Sequence, residues 1–500
     1  MKRPTRMKTS SGLRRLVPVL ILACAFSTLS AQDFGFGPAD DDWSEEAPDG
    51  QGFDDESGFG GGFGFGDESN FGFDGGSGLP ALKANGEVSG RLLLYDRVFT
   101  GDEEFDIESL GDISGRLDVS LLSPYLDGFL NLRFDTDRLL LVDEAYARFA
   151  ARAFEAELGL RKLSWGRADS MGPLDVINPF DYSDLTDITN QSAMKIARPM
   201  VHLSFRPGNF TRIEGVFVPW FRADRFDIDE RGRWAPARIR ELGPLLTSVG
   251  KSINDEYFDR VENLDHAQGG IRFTATLGRA DLGFQYYTGH FRRPVFSAII
   301  ALLPPQLDFN FGYTRYHQIG VDYAQVLFGF NVRSELGINL TSDLDGGDPA
   351  VENPAVVYSL GFDRDLFWGI NLNLQGNGRI RLMQNKIALS PANPGILDVE
   401  AKIINVGLLP SSLETEATPV TSTRITAILA KKILRDELEL KATALWGIED
   451  RDFLIIPAVT WTKNDLSLEL SAGFFGGDRG GELGQYRDNS YVKTVLTWKF

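Results

Sequence analysis

Residues 154 to 181 read FEAELGLRKLSWGRADSMGPLDVINPFD. Phe154 to Arg161 alternates, and side chains two apart share one face of a strand. From Leu163 the alternation stops. Gly172-Pro173 and Asn178-Pro179 punctuate the next segment, since proline fixes its own φ and biases the residue before it away from helix. Asp169, Asp175, Asn178 and Asp181 are side chains that bond nearby backbone amides and hold a loop in one shape. The stretch therefore describes a strand, closed by Trp165-Gly166, running into a long, ordered, non-repetitive loop. Such loops in compact folds are more often functional than decorative. The sharper expectation is a loop folded into a barrel lumen, with Trp165, Gly166, Asp169, Asp175, Asn178, Pro179 and Asp181 forming a constriction or part of a binding site. The plainer one is a structured turn at a barrel rim.

Working outward, the period of two recurs from about Lys83 onward. Leu117, Val119 and Leu121 alternate with Arg116, Asp118 and Ser120; Leu130, Leu132 and Phe134 alternate with Asn131, Arg133 and Asp135. Ile370, Leu372, Leu374, Ile380 and Leu382 oppose Asn371, Asn373, Gln375, Asn377, Arg379 and Arg381. Glu437, Glu439 and Lys441 oppose Leu438, Leu440 and Ala442. Such runs span about 9–11 residues, the length a tilted strand needs to cross a bilayer. A soluble sandwich alternates too, with its apolar face inside. Three features favour a barrel in lipid: charged and amide-rich polar faces suited to a watery lumen; aromatics at strand ends (Tyr95, Phe99, Trp165, Trp220, Trp368, Trp446, Trp461, Trp498) suited to interfacial girdles; and an export signal. The fold expected is all-β, a transmembrane antiparallel β-barrel of about 16–18 strands. Short turns, such as Ala151-Arg152 and Gly278-Arg279, alternate with long connections at 167–198, 222–265, 292–310, 342–353 and 386–420. Within 222–265, Arg238 to Ile253 carries a helical apolar stripe that Gly243-Pro244 should interrupt.

Residues 1–31 read as a signal peptide, with a basic start, the apolar core Leu16 to Phe26 and a cleavage site at Ser30-Ala31. Lipidation at Cys24, the one cysteine, is the alternative. Residues 32–82 form an acidic tail rich in Gly and Phe, without Lys or Arg before residue 80, and are expected to be disordered. It is either a plain flexible tail or a tether to a periplasmic partner. Residues 83–500 are the barrel. The terminal YVKTVLTWKF, with Trp498 and Phe500, resembles the signal that barrel-assembly machinery reads on its clients. Outer-membrane lipid is the other expected partner.

The 500 residues carry 51 Lys and Arg against 70 Asp and Glu, a net charge of -19, which argues against nucleic acid. One cysteine allows no disulfide framework within the chain. The four histidines, His202, His266, His290 and His317, lack ligand spacing, so no metal or other cofactor is expected. Mean hydropathy is -0.15, and past the N-terminus no apolar run is long enough for a helical span.

Several segments together resemble a family of Gram-negative outer-membrane barrels known as a domain of unknown function. They are Glu144-Ala145-Tyr146 through Trp165-Gly166, Asp175-Val176-Ile177-Asn178-Pro179, Arg198-Pro199-Met200, Ile213 to Phe221, Gln268-Gly269-Gly270, Phe284 to Pro294 and Ile319-Gly320-Val321. The likeness covers most of 140–340. It implies a porin-like outer-membrane barrel and says nothing of substrate.

The function expected is a channel for passive transport of small solutes, with selectivity set by lumen charges and inward loops. Candidate lumen residues by strand parity are Arg116, Asp118, Asn131, Arg133, Glu144, Arg148, Glu155, Glu157, Arg161, Arg379, Arg381, Glu437, Glu439 and Lys441. The bland alternative is that they form ion pairs that satisfy one another. The competing functions are a transporter of hydrophobic molecules and a structural or adhesive surface barrel. An enzyme is not expected, because no nucleophile, base and orienting group fall into a recognisable set.

Overall fold

The computed structural model describes residues 80–95, 111–136, 140–169, 171–229, 231–248, 250, 252, 260–302, 305–345, 351–382 and 420–500. Eighteen strands form one antiparallel meander. They are β1 (Ala81–Tyr95), β2 (Gly111–Leu122), β3 (Leu126–Phe134), β4 (Leu141–Ala151), β5 (Phe154–Arg161), β6 (Arg198–Gly208), β7 (Thr211–Val218), β8 (Gln268–Leu277) and β9 (Ala280–His290). Then come β10 (Arg315–Leu327), β11 (Phe330–Thr341), β12 (Ala355–Asp365), β13 (Asn371–Arg381), β14 (Thr421–Ile433), β15 (Leu438–Gly447), β16 (Asp452–Lys463), β17 (Leu466–Gly477) and β18 (Tyr491–Lys499). Each strand pairs with the next, and β18 pairs back onto β1, so the sheet closes. Closure leaves no exposed sheet edge. At the seam Gly86 and Phe500 exchange two backbone hydrogen bonds of 2.9 Å. A Cβ at Gly86 would stand 2.5 Å from the Phe500 ring, so glycine lets that ring lie over the seam.

The two rims differ. On one, connections of two to five residues join β2–β3, β4–β5 and so on to β16–β17. On the other lie the long connections, 162–197, 219–267, 291–314, 342–354, 382–420 and 478–490 among them. The 83–500 barrel domain expected from sequence thus begins at Ala81, and the signal and tail at 1–79 lie outside the described residues.

The faces decide between barrel and sandwich. Outward positions hold exposed apolar residues: Leu203, Phe205, Phe217, Ile271, Phe273, Phe284, Ile319, Leu336, Leu360, Leu429, Leu440 and Leu470. Inward positions hold buried polar ones: His202, Ser204, Glu214, Arg272, Gln285, Gln318, Asp322, Glu335, Asn373, Gln375, Thr443 and Lys493. A soluble sandwich has the opposite arrangement. Burying apolar surface is worth about 25 cal/mol per Å², so this belt is satisfied by lipid.

Three expectations need correction. β5 ends at Arg161, before Trp165-Gly166. Trp165 and Tyr95 are no part of an aromatic girdle. Both are buried inside, Trp165 beside Gly270, where a Cβ would come within 3.0 Å of its ring, and Tyr95 at 6.3 Å from Trp234. Trp446 and Trp498 do face outward and are exposed, while Phe99 lies outside the described residues. The helix Ala237–Ser248 runs through Gly243-Pro244 without ending. A proline removes one intrahelical bond, a cost that packing can offset; here Ile239 is fully buried and Ala237 N–H donates to Gln485 Oε1 at 2.7 Å.

Candidate functional site: a loop docked across the lumen

Residues 162–197 leave β5 and cross the barrel. Asn178, with no exposed surface, holds the two ends of the loop together. Its Oδ1 accepts Leu163 N–H at 2.8 Å, and its Nδ2 donates to Arg161 O at 3.0 Å and Ile196 O at 2.9 Å. Pro179 O accepts Ile196 N–H at 2.8 Å. The asparagine is thus a latch, and the proline after it fixes the chain's direction.

The tip of the loop is fixed on the wall formed by β9–β13. Glu335 of β11 accepts the N–H groups of Arg167, Ala168 (2.8 Å) and Leu174 (3.2 Å). Such charge-assisted bonds are among the stronger kinds. Gly166, at φ 95°, and Gly172 permit the approach, since a Cβ on either would fall within 2.7 Å of the Glu335 carboxylate. Leu174, fully buried, sits in a socket made by the cross-strand pair Gly320 and Gly337, where added Cβ atoms would stand 2.5 and 3.0 Å from it. Gln285 donates to Leu174 O at 2.9 Å and Gln318 to Pro173 O at 3.0 Å. Arg167 pairs with Asp322 at 2.9 Å. Asp169 pairs with Arg333 and accepts from Asn373 at 2.9 Å, and Asn377 donates to Met171 O at 3.1 Å.

The returning half crosses to β1 and β18. Asp184 pairs with Arg91 at 2.8 Å, and Asp187 with Lys493 at 2.7 Å. Tyr491 Oη donates to Thr186 O at 3.0 Å. The 219–267 connection braces this half, Asp181 pairing with Arg225 at 2.8 Å. Within the crossing loop itself, Asp175 pairs with Lys195 at 2.6 Å. Arg198, almost fully buried, donates to Ile177 O and Trp220 O. An interior apolar core then forms from Phe180, Tyr182, Leu185, Phe226, Trp234, Phe475, Tyr486 and Tyr491, between loops and wall. All seven residues expected at the loop thus lie on the segment inside the barrel.

The expected lumen residues face inward mostly as pairs. Arg133 lies 3.9 Å from Asp143, Arg148 2.7 Å from Asp127, Arg161 2.8 Å from Glu157 and Arg379 2.9 Å from Glu352. Glu144 accepts Lys162 N–H at 2.8 Å, and Arg381 is buried. Glu439 and Lys441 lie on the inner face of β15, their neighbours across the ladder being Thr460 and Ala458. Glu437 is exposed in the β14–β15 turn, outside the strand, which corrects its placement. Water still reaches part of this wall: the side chains of Arg133 and Asp118 are 43% and 36% exposed.

Several contributors escaped parity reasoning. Asp143 joins Glu144 on the inside because the register shifts between Asn131 and Leu132, a bulge that turns two successive side chains the same way. His202 is bonded on both ring nitrogens, to Glu157 at 2.7 Å and Glu214 at 3.1 Å. It braces β5, β6 and β7. Among the described residues no three His, Cys, Asp or Glu converge to hold a metal ion.

At the long-loop rim, Asp452 accepts Leu483 and Gly484 N–H at 2.6 and 3.1 Å. Burial, with Asp452 and Glu482 nearby, pushes the Asp450 carboxyl up to about 6. A carboxyl raised on folding binds more protons in the native state, so its contribution to stability is present at low pH and lost as pH rises from about 4 through about 6. Asp450→Asn is expected to flatten that part of the pH–stability profile, measured as the melting temperature of the folded barrel in detergent. An unchanged profile would disprove the assignment.

No family model matches the chain, and no curated protein matches it. The fold is similar to several solved barrels. The outer membrane channel DcaP of Acinetobacter baumannii shares 8% identity over 84% of this chain and 97% of its own, with a TM-score of 0.37. OccK10 (OpdN) of Pseudomonas aeruginosa shares 10% over 84% and 99%, with a TM-score of 0.45. Wzi of Escherichia coli, described as a carbohydrate binding β-barrel involved in group 1 capsule assembly, shares 11% over 84% and 84%, with a TM-score of 0.42. At such distance the function has to be read from this chain's own residues.

Proposed function

We propose that this chain is an outer-membrane channel for passive movement of small solutes. The observation that carries the reading is the inverted barrel: apolar outside, polar and charged inside, with a loop fixed across the lumen beside charged side chains that water reaches. Loop 162–197 acts as the constriction, and the paired charges of β2–β5 set the local field along the path. Trp498 and Phe500 serve the assembly machinery, and the outer belt contacts membrane lipid. Both signs occur on the wall, so no ion preference is assigned. The test is planar-bilayer recording of the folded full chain across a salt gradient. Discrete conductance steps are expected. A folded, heat-modifiable barrel that conducts nothing would overturn the channel.

A further inference from the structure

The short-turn rim carries apolar side chains where tight turns ordinarily carry Gly, Asn or Asp. Phe328, between β10 and β11, is 96% exposed at φ 54°. Phe367 and Trp368, between β12 and β13, are 85% and 84% exposed, Trp368 at φ 63°. Leu434, between β14 and β15, is 67% exposed at φ 56°. The left-handed region costs a residue other than glycine about 1–2 kcal/mol. Three neighbouring turns of one wall therefore hold bulky apolar residues outward, against both backbone preference and solvation.

The same rim has exposed cations at Arg279, Arg364, Lys432 and Arg435, none in an ion pair among the described residues. Asp365, Asp436 and Glu437 stand there too, so the apolar tips weigh more than the charge.

β1 begins at Ala81 on this rim. The chain before it, residues 32–80, has eight Phe and thirteen Asp and Glu, with no Lys or Arg. Four of those Phe, at 59, 63, 65 and 73, and a fifth at 71, lie closest to β1. At about 3.4 Å per residue their extended reach from Ala81 is ~27 to ~75 Å. Eighteen strands about 4.8 Å apart, tilted about 40°, enclose a barrel ~36 Å across. The segment is thus long enough to meet the opposite turns, and its tethering gives an effective concentration of order mM.

We propose that residues 32–80 fold back onto the short-turn rim of their own barrel. Phenylalanine side chains cover Phe328, Phe367, Trp368 and Leu434, and the intervening carboxylates lie beside Arg279, Arg364, Lys432 and Arg435. The contact is reversible, since it joins a few aromatic side chains and screened charges.

The test uses the full chain with the photoreactive residue p-benzoylphenylalanine in place of Trp368, and separately in place of Phe328. A third protein carries it in place of Trp446, near the other rim. Each is irradiated as folded, heat-modifiable protein in outer-membrane vesicles and analysed by mass spectrometry. Adducts joining position 368 or 328 to peptides from 32–80 of the same chain are expected, with none at 446. Replacing the eight tail phenylalanines with serine should reduce them at least tenfold. Mixing isotopically light and heavy protein separates contacts within a chain from contacts between copies. Adducts only to lipid, to another protein or to a second copy would overturn the proposal. So would tail adducts that survive the serine replacements.

Discussion

Glu335→Ala is expected to raise single-channel conductance and to make the current noisy. In the folded chain this one carboxylate receives three backbone N–H groups of the crossing loop. Removing it leaves those donors facing an apolar methyl in a buried site. Each unsatisfied buried donor costs about 1–3 kcal/mol, so the 166–174 segment releases from β11 before it tolerates all three. The barrel wall itself keeps its ladders, because the β10–β11 and β11–β12 pairings are backbone bonds. Heat-modifiable mobility should therefore persist while the conductance at least doubles. Glu335→Gln separates charge from shape. Its amide oxygen accepts some of the same bonds, and it should show a smaller rise. Conductance identical to the parent chain in both variants would mean that the loop does not limit the current.

Asn178→Leu should have the second large effect, on the loop's integrity. Asn178 joins Arg161 and Leu163 at the loop's start to Ile196 at its end, inside a site with no solvent exposure. Leucine has similar bulk but strands one donor and two acceptors. The cost is about 3–5 kcal/mol, counted as unsatisfied buried groups and discounted for relaxation. The expected outcome is protease cleavage within 162–197 in folded barrels, where the parent chain resists. Cleavage at parent rates would show that Lys195–Asp175 and the Arg198 bonds suffice without the latch.

The barrel was legible because a two-residue period survives in any strand with unlike faces. Parts of the rims were legible where Gly, Pro or Asn mark a turn, as at Gly278-Arg279. Gly172-Pro173 and Asn178-Pro179 announced an ordered loop for that reason. The surface that receives the loop was not legible. Glu335 lies over 160 residues from Arg167, Ala168 and Leu174, and in sequence it is one more polar residue on an alternating strand. Gly320 and Gly337 read as weak strand positions until Leu174 is seen between them. Strict parity with Glu144 would turn Asp143 outward, because a bulge changes parity locally and carries no fixed sequence mark. Trp165 and Tyr95 were expected at the interface because aromatic residues near strand ends serve two roles, and only the path of the backbone separates them.

The partners of the crossing loop also constrain the order in which the barrel is completed. Residues 162–197 take their contacts from β9 to β13, which are synthesised later, and from β1 and β18, the first and last strands, which meet at the seam. Until β11 is in place, the Arg167, Ala168 and Leu174 amides have no carboxylate to meet. Until β18 joins β1, Asp187 lacks Lys493. The crossing loop therefore cannot complete its contacts ahead of the wall: its amides meet Glu335 only once β11 is in place, and the closing strand supplies the Lys493–Asp187 pair.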